Sequence, residues 1–376
     1  MLKKDSGHYK GKKYMRILIF SSYKDAWNSV RPEAEMFIEM VKLGHQVTIM
    51  TQGNAEYVTR FRDNGIKVID AYPSKKICWK TIKALRAELR AYHYDIVYAM
   101  NSKTIPNAAF ACIGFKKTKL VTYRGTVGGL YRHDPSAYLT HLHPRVDGIS
   151  CVAQAVTDDV KKRVWKHQER VVTIYKGHDI AWYQAQPANI SELGLPSDAF
   201  CVICIANARP SKGVHILLDS AKQLADLSNV HLLLVGRDMD TEQNLNLAKQ
   251  SGMPERIHFL GYRKDVPELL AASAVQVQPS ISGEGLPKTI IEAMAMGVPS
   301  IVTTTGGGKE LLVDGDSGFI VPVQDPHAIA EKIRWLYQSP EQRQKMGKLA
   351  QQRMISDFSC QTSAQQHLAF FQSLLG

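Results

Sequence analysis

Short apolar runs alternate with helical patterns along most of the chain. Residues 16–20 form the first run, a helical pattern covers residues 32–43, and residues 47–50 form the next run. Apolar runs of this length indicate buried strands, whereas apolar positions three or four residues apart indicate a helix with one buried face. The beginning of the chain therefore predicts a βαβ unit, in which the two strands lie parallel.

The alternation continues in two series that are separated near residue 176. The first series predicts further strands at residues 67–69, 95–99, 120–123, 148–152 and 171–174. The second series predicts strands at residues 200–205, 231–235, 257–260, 274–278 and 300–303. Its predicted helices lie at residues 214–227, 242–250, 266–272 and 287–296. These patterns predict an α/β protein with two doubly wound, Rossmann-like domains, each with a parallel sheet covered by helices on both faces.

The predicted domain boundary lies where the periodicity fails. Residues 176–198 lack a regular period and are interpreted as a linker between an N-terminal domain, 15–177, and a C-terminal domain, 178–355. Residues 356–376 are expected to form a C-terminal helix that packs back across the hinge. A chain of 376 residues is longer than one hydrophobic core usually serves. We therefore expect two domains facing a cleft, which is a common place for a ligand site.

The charge balance of the chain favours anionic partners. Its 47 Lys and Arg residues against 35 Asp and Glu residues give a formal net charge of +12. Nucleotides, nucleic acids and acidic membrane surfaces all fit this charge, which does not choose among them. No apolar stretch approaches the roughly 18 residues that span a bilayer, and residues 1–14 are basic without an apolar signal core. We therefore expect a cytoplasmic protein.

Six cysteines are scattered along the chain, which favours reduced thiols over a disulfide framework. Cys201 and Cys204 form a CxxC pattern inside an apolar run. Strand residues three apart face opposite sides of a sheet, so these two thiols are not expected to share a metal. Both are predicted to be buried structural residues.

The densest chemical signal is PSISGEGLPKTIIEAMAMGVP at residues 279–299, where a strand ends, a small polar loop follows and a helix begins. Pro287 fits the first helical position, and Gly297 fits the residue just beyond the last. In an open α/β sheet, ligands bind beyond the carboxyl ends of the strands, where helix N-termini favour phosphate. Glu284 is expected in the exposed loop, and Glu292 one to two turns along the helix.

This segment resembles the retaining glycosyltransferases of family four, which have the GT-B fold, and the resemblance runs from about residue 15 to 355. The most specific mark is the pair Glu284 and Glu292, eight positions apart. Three further segments resemble family features in the same order: ANARPSKG at 206–213, HFLGYRKDV at 258–266, and the glycine-rich TTTGGGKELLVDGDSGFIVP at 303–322. Four matches in order make coincidence a poor explanation.

The resemblance implies a role for each matching residue. Glu284 would accept a hydrogen bond from a donor-sugar hydroxyl, and Glu292 from the ribose. Arg209 and Lys212 would stabilise the charge that grows on the diphosphate, so we expect metal-independent transfer and no cofactor beside the nucleotide-sugar donor. The other expected donor-binding residues are Gly283, Gly285, Leu286, Thr289, Gly261 and Tyr262.

Two Asp-x-Asp motifs, at residues 238–240 and 314–316, resemble metal sites of other glycosyltransferase folds. Both lie in turn-rich stretches, where solvated Asp and Gly are common. We interpret them as turns and not as metal ligands.

The acceptor side is predicted with less detail. Many relatives have a histidine where this chain has Arg124, and an arginine at this place could hold an acidic or phosphorylated acceptor. His133 is a further candidate, with a water-facing imidazole as its alternative. The turn at residues 21–27 lacks the glycine pair common in relatives, which also counts against a nicotinamide site.

The segment at residues 75–92 combines an apolar helical stripe with many cations. One interpretation is a surface helix with its stripe in the core, and the other is docking to an anionic membrane; the two are compatible. Trp79 lies off the stripe, where an interfacial anchor is expected. The predicted stripe is Cys78, Ile82, Leu85, Leu89 and Tyr92, and the membrane-facing cations are Lys76, Lys80 and Lys83.

The sequence as a whole predicts a hexosyl- or related glycosyltransferase that retains the anomeric configuration. Its expected acceptor is a cell-surface glycan or a lipid-linked saccharide, as in polysaccharide or lipopolysaccharide biosynthesis. A GT-B sugar-nucleotide epimerase is the nearest alternative, because it would bind a similar donor without an acceptor. A basic nucleic-acid-binding protein is an alternative of another class, but no helix-turn-helix, zinc-finger or RNA-binding motif is visible, so no nucleic acid is expected as a partner.

Overall fold

The computed structural model describes residues 14–24, 30–282 and 284–376. Its chain divides into two compact units. The first unit comprises the chain up to residue 152, residues 156–177 and residues 360–376, and the second comprises residues 153–155 and 178–359. The acceptor and donor roles predicted for the two domains stay predictions.

The first unit contains a seven-stranded parallel sheet in the order β3-β2-β1-β4-β5-β6-β7. Its strands are β1 (Arg16–Phe20), β2 (Gln46–Thr51), β3 (Lys67–Asp70), β4 (Ile96–Ala99), β5 (Lys119–Arg124), β6 (Gly148–Cys151) and β7 (Val171–Thr173). Its helices are α1 (Arg31–Lys42), α2 (Val58–Asp63), α3 (Trp79–Ala91), α4 (Thr104–Ala111), α5 (Gln154–Lys161) and α13 (Cys360–Leu375).

The burial of strand β1 on both faces explains why its sequence is apolar at almost every position. Ile17 and Ile19 lie in one buried cluster, whereas Leu18 and Phe20 lie in another. Because successive side chains point to opposite faces, a strand covered on both faces needs an unbroken apolar run. The C-terminal helix α13 contributes Phe371 to the first of these clusters.

The second unit contains a six-stranded parallel sheet in the order β10-β9-β8-β11-β12-β13. Its strands are β8 (Phe200–Ile205), β9 (Val230–Val235), β10 (Ile257–Gly261), β11 (Val275–Gln278), β12 (Ser300–Thr303) and β13 (Gly318–Val321). Its helices are α6 (Val214–Ser220), α7 (Glu242–Lys249), α8 (Val266–Ala271), α9 (Lys288–Met296), α10 (Gly308–Leu311), α11 (Pro326–Gln338) and α12 (Pro340–Asp357). Two doubly wound Rossmann-like sheets are therefore present, as the sequence predicts.

The CxxC cysteines lie on opposite faces of the second sheet, as their spacing predicts. Cys204 belongs to one buried cluster and Cys201 to another. Burial raises the pKa of the Cys201 thiol to about 11 and that of the Cys204 thiol to about 12. Both are free cysteines, and high thiol pKa values are typical of inert core residues.

Three local predictions are wrong in detail. The helix predicted to reach residue 227 ends at Ser220 and continues only as a 3-10 turn, Ala221–Gln223. Pro287 is the residue before α9 and not its first helical residue, since its backbone is extended. In α3, the side chain of Tyr92 is 48% exposed because the helix ends one residue earlier.

Of the predicted apolar stripe, Cys78 precedes α3 and is half-buried, and the three members inside the helix are buried. Ile82, Leu85 and Leu89 pack into the core of the first unit. None of the helices within the described residues is long and apolar enough to cross a membrane.

Candidate active site

Five loops of the second unit converge at one edge of its sheet. Strands β8 to β12 run parallel, so their carboxyl ends share that edge. The strand order reverses between β8 and β11, and such a reversal opens a crevice in which ligands bind. The loops after these two strands touch, since the Ile281 amide donates to the Ser211 carbonyl over 2.7 Å.

A glycine allows the two loops to approach this closely. Gly213 has a φ of +66°, and a Cβ at this position would lie 2.0 Å from the Pro279 carbonyl oxygen. A larger residue would have to push the loop after β11 away from the loop after β8.

Glu284 lies at this junction and is buried, with 7% of its surface exposed. Its Oε1 accepts hydrogen bonds from Lys212 Nζ at 2.6 Å, Ser280 Oγ at 2.5 Å and Gln278 Nε2 at 3.2 Å. No described residue donates to Oε2, which leaves that oxygen able to accept from a ligand. The exposed position that the sequence predicts for Glu284 is wrong, because the polar side chains beneath the loop draw the carboxylate inward.

Those side chains form a short hydrogen-bond chain along β11. Gln278 donates to Ser280 Oγ at 2.9 Å, and its own Oε1 accepts from Thr289 Oγ1 at 3.1 Å. The backbone carbonyl of Ser280 accepts from Thr303 Oγ1 at 2.5 Å. Sequence reasoning misses Gln278 and Ser280, although an amide in a strand buried on both faces is a signal that could have found them.

Glu292 lies on α9, one turn beyond Lys288. Lys288 Nζ is 3.1 Å from Glu292 Oε1, which is an i,i+4 ion pair. The Lys288 side chain is mostly exposed, whereas Glu292 is buried. The Glu292 carboxylate is therefore held against the helix by a lysine whose own side chain remains largely in solvent.

The glycine-rich segment after β12 supports the Glu284 loop through its backbone. The Gly307 amide donates to the Gly285 carbonyl over 2.9 Å. At Gly306, where φ is +60°, a Cβ would lie 2.5 Å from the Glu284 carbonyl oxygen. This contact explains the run of glycines at this point of the sequence. Gly283, another predicted donor-binding residue, lies outside the described residues.

The remaining predicted donor-binding residues lie along the same edge. Arg209 is exposed, and its side chain has no hydrogen-bond or ion-pair partner within the part of the chain that the structure describes. Gly261 ends β10 with a φ of +62°, and the exposed ring of Tyr262 lies under the Arg237 guanidinium, 4.8 Å from its centroid. Leu286, beside Gly285 in the Glu284 loop, is half-buried.

The two Asp-x-Asp motifs have local backbone roles. Asp314 Oδ1 accepts from the Ile320 amide over 2.8 Å, which closes a turn. Asp238 adopts a left-handed backbone, with φ at +57°. Across residues 14–24, 30–282 and 284–376, no three His, Cys, Asp or Glu side chains are grouped as a metal site would require.

In the first unit, Arg124 lines a cavity of about 300 Å³ with Asn101, Tyr123 and His141. Its guanidinium donates to the carbonyl of Thr126 at 3.1 Å and also to a carbonyl of the same loop. Burial lowers the pKa of Arg124.

His141 forms a hydrogen bond with Thr122 through its Nδ1 atom at 3.0 Å. Burial, with a smaller effect from Arg124, lowers the pKa of His141 to about 3, so the imidazole is neutral. His133 is exposed, and its ring stacks on Tyr131 with centroids 5.3 Å apart.

Two family models match most of the chain. Residues 34–182 match the model described as Glycosyltransferase Family 4, and residues 185–353 match the model described as Glycosyl transferases group 1. The chain belongs to glycosyltransferase family 4. Because these models describe transferases, the epimerase and nucleic-acid-binding alternatives are not favoured.

Curated relatives and solved structures agree with this membership. Spore coat protein SA of Bacillus subtilis strain 168 is 24% identical, over 95% of this glycosyltransferase and 99% of the relative. The N-acetyl-alpha-D-glucosaminyl L-malate synthase of Bacillus anthracis is 27% identical, over 75% and 74% of the two chains. The crystal structure of Anabaena Alr3699/HepE in complex with UDP is 22% identical, covers 96% of this chain and 100% of its own, and has a TM-score of 0.73. The fold is GT-B.

Proposed function

We propose that this glycosyltransferase moves a sugar from a nucleotide-sugar donor to an acceptor hydroxyl with retention at the anomeric carbon and without a metal ion. One observation carries the proposal. Glu284 is fixed at one carboxylate oxygen by three donors, while its other oxygen accepts from no described residue, at the sheet edge where ligands bind.

Each charged group of the site has a separate proposed role. Glu284 Oε2 accepts from a hydroxyl of the transferred sugar and so aligns it. Lys212 and Arg209 stabilise the negative charge that develops on the diphosphate as the sugar leaves. Glu292 accepts from the ribose hydroxyls. The Lys212 ammonium already contacts Glu284 over 2.6 Å, which supports a position between the sugar and the diphosphate.

The proposed reaction is a substitution on one face of the sugar. The bond between the anomeric carbon and the diphosphate oxygen breaks, and a bond to the acceptor oxygen forms on the same face. The acceptor hydroxyl gives its proton to the departing phosphate oxygen, so no protein nucleophile is required. The protein contributes orientation and charge stabilisation.

The donor and the stereochemistry are tested together. Alr3699/HepE structures contain UDP and UDP-glucose, so a UDP-sugar is the first donor to test. Thermal shift with UDP-, GDP- and ADP-glucose identifies the base, because ligand at about 100 times its dissociation constant adds about 2.7 kcal/mol to the stability. NMR of the product should show the donor's anomeric configuration. An inverted centre contradicts the proposal, and an altered nucleotide sugar without acceptor indicates an epimerase.

Metal independence rests on the cations Lys212 and Arg209 at the sheet edge. Transfer should proceed at the same rate after dialysis against EDTA. The opposite outcome is a loss of turnover after EDTA that manganese restores better than magnesium or calcium does. It would contradict the role given to Lys212 and Arg209.

We propose a cell-surface glycan or a lipid-linked saccharide as the acceptor. The matched relatives include a protein named lipopolysaccharide core biosynthesis glycosyltransferase, from Rhizobium meliloti strain 1021, which supports this class. Arg124, at the end of β5, is proposed to face an acidic group of the acceptor across the cavity that it lines. His133 is the second proposed acceptor residue.

Contact with an anionic membrane is proposed at the start of α3. Trp79 is 67% exposed, and Lys76, Lys80 and Lys83 are exposed beside it. Binding to vesicles that contain phosphatidylglycerol should weaken with salt as these charges are screened. Replacing the three lysines by Glu should reduce the bound fraction further.

The matched control replaces three exposed lysines of the second unit, Lys249, Lys345 and Lys348, by Glu. This variant has the same net charge as the α3 variant. An equal loss of vesicle binding in both variants rejects α3 as the contact.

A further inference from the structure

A fixed aromatic platform lies on the surface of the first unit, beyond the end of α5. Trp165 is 64% exposed, although large aromatic side chains are usually buried. Its indole Nε1 donates to Tyr138 Oη at 3.2 Å, and the Arg132 guanidinium lies 4.2 Å from the ring centroid. The indole is therefore held at its edge and over one face, while much of its surface faces solvent.

Arg132 is itself fixed by the backbone that follows α5. Its Nε donates to the Arg163 carbonyl at 2.8 Å, and its Nη2 donates to the Val164 carbonyl at 3.0 Å. Both carbonyls belong to residues that follow the last residue of α5, Lys161. The orientation of Trp165 thus follows from the termination of α5, and the platform is built before any ligand binds.

A second aromatic residue, Tyr131, precedes Arg132 in the chain. The Tyr131 ring stacks on His133 at an interplanar angle of 18° and also lies 5.4 Å from the Arg163 guanidinium. Arg163 Nε is buried and has no partner among the described residues. The Arg163 Nη2 atom pairs with Asp159 Oδ1 at 3.5 Å, so this guanidinium holds Tyr131 in place and is not itself offered to a ligand.

A groove of about 430 Å³ runs beside Trp165 and Tyr138. Of residues 161–170, two cations line the groove, Lys166 and Arg170, and the neighbouring Glu169 lies 3.9 Å from the Arg170 guanidinium. The one acidic side chain in the groove lining, Asp147, is paired with Arg145. The positively charged or imidazole side chains of the lining are His141, His143, Lys166, His167 and Arg170.

We propose that this groove and the Trp165 platform bind an anionic saccharide chain, as the part of the acceptor that does not react. The inference rests on the proposed function, because it adds a second contact for the same acceptor. The C–H face of a pyranose packs against the electron-rich face of an indole. Carboxylate or phosphate groups along the chain pair with Lys166 and Arg170 in the groove.

The geometry favours a saccharide over two other anionic partners. A membrane anchor places its ring at the headgroup level, whereas Trp165 is tied to Tyr138 and Arg132 at the edge of a groove. Single-stranded nucleic acid requires several open rings in succession. Here Tyr131 stacks on His133 and lies near Arg163, which leaves Trp165 as the more exposed ring, at 64% against 40%.

The test measures binding by calorimetry in the absence of nucleotide. The probes are a galacturonic acid octamer, which is anionic, and a malto-oligosaccharide octamer, which is neutral. We expect the anionic octamer to bind more tightly and to lose affinity as salt is added. Trp165→Ala should weaken its binding about tenfold, which corresponds to about 1.4 kcal/mol. Lys166→Glu should weaken the anionic probe while leaving the neutral one unchanged.

The matched control is Trp79→Ala, which removes an equally exposed indole from α3. Equal affinities for Trp165→Ala and Trp79→Ala overturn the proposal, and so does undetectable binding of the anionic octamer. Tighter binding of a thymidine octamer, or of phosphatidylglycerol vesicles, that depends on Trp165 assigns the surface to another partner and also overturns it. Turnover of the nucleotide sugar is measured separately, so failure of the donor chemistry can be distinguished from failure of this second site.

Discussion

At the scale of single residues, the site depends on how the two oxygens of the Glu284 carboxylate are used. Glu284 Oε1 accepts from Lys212, Ser280 and Gln278, so its orientation is fixed by two loops and a strand at once. A carboxylate that is fixed at one oxygen can present the other with little loss of freedom on ligand binding. Small changes at Glu284 should therefore affect catalysis more than nucleotide affinity.

We expect Glu284→Gln to lower turnover about a hundredfold, because loss of one transition-state contact commonly costs roughly 3 kcal/mol. The nucleotide should still bind. A modest decrease in melting temperature is also expected, since Lys212 loses its anionic partner in a partly buried place. Turnover, nucleotide affinity and melting temperature are compared with those of Glu255→Gln, an exposed control. Near-normal turnover of Glu284→Gln contradicts its proposed role.

Glu292→Gln should act differently. We expect a higher KM for the donor with little change in kcat, because the ribose is held similarly before and during the reaction. Steady-state kinetics at varied donor concentration separate the two parameters. A large fall in kcat at unchanged KM would place Glu292 among the groups that contact the reacting atoms.

The sequence predicts part of this residue-scale arrangement. The motifs of Glu284 and Lys212 are distinctive enough to single them out, and the structure places the two in contact, while their roles stay predictions. The inward position of Glu284 could not be predicted, since it depends on which side chains lie beneath the loop. Gln278 and Ser280 supply that environment, and their hydrogen bonds are made only when β11 and the loop after it are folded.

At the scale of elements, the junction depends on the turn that precedes α6. Gly213 combines a left-handed backbone with contact to the Pro279 carbonyl, whereas Gly194 has a similar φ of +76° in open space. Substitutions at Gly194 and Gly213 can therefore separate the cost of backbone strain from the cost of disturbing the contact between the two loops.

We expect Gly194→Ala to cost about 1 to 2 kcal/mol, because a side chain disfavours the left-handed backbone. Gly213→Ala should be more destabilising, since the loop after β11 must also move. Thermal unfolding measures both variants, and donor turnover should fall only in Gly213→Ala. Equal losses of stability and activity in the two variants would contradict a packing role for Gly213.

The sequence predicts most strands of both sheets because parallel strands covered on both faces are continuous apolar runs. The sequence does not predict strand β13, because Gly318–Val321 lies in a turn-rich stretch with few flanking signals. Nor does it predict the early end of α6, since residues 214–227 keep a helical pattern while the backbone tightens at Ala221–Gln223.

At the scale of the whole molecule, buried imidazoles link stability to pH. Among the histidines that the structure describes, burial lowers the pKa of six, to about 3 for His141 and about 4 for His367. For His367, burial outweighs the hydrogen bond to the Ser363 carbonyl, which by itself raises the pKa. The His367 Nδ1 must donate, because the Ser363 carbonyl can only accept, so Nε2 accepts from Tyr98. The other four histidines are His45, His143, His231 and His258.

We expect the free energy of unfolding to decrease as the pH falls from about 7 to 5. Below the unfolded histidine pKa of about 6.5, the unfolded chain binds more protons than the folded one, so stability rises with pH in this window. Denaturant unfolding at several pH values measures the slope. His367→Gln should reduce that slope, and a slope of zero between pH 5 and 7 in the unmodified protein would contradict the buried neutral imidazoles.

The return of α13 to the first unit sets the order in which a newly made chain can finish folding. Phe371 of α13 packs against Tyr98 in the core that β1 helps to form, yet residues 178–359 are made between them. Ribosomes add about 5 to 20 residues per second, so roughly 180 residues take on the order of 10 to 40 seconds. During that interval the second unit acquires its full sequence, while the first still lacks its last helix. The unit whose synthesis starts first is therefore the last to close its core.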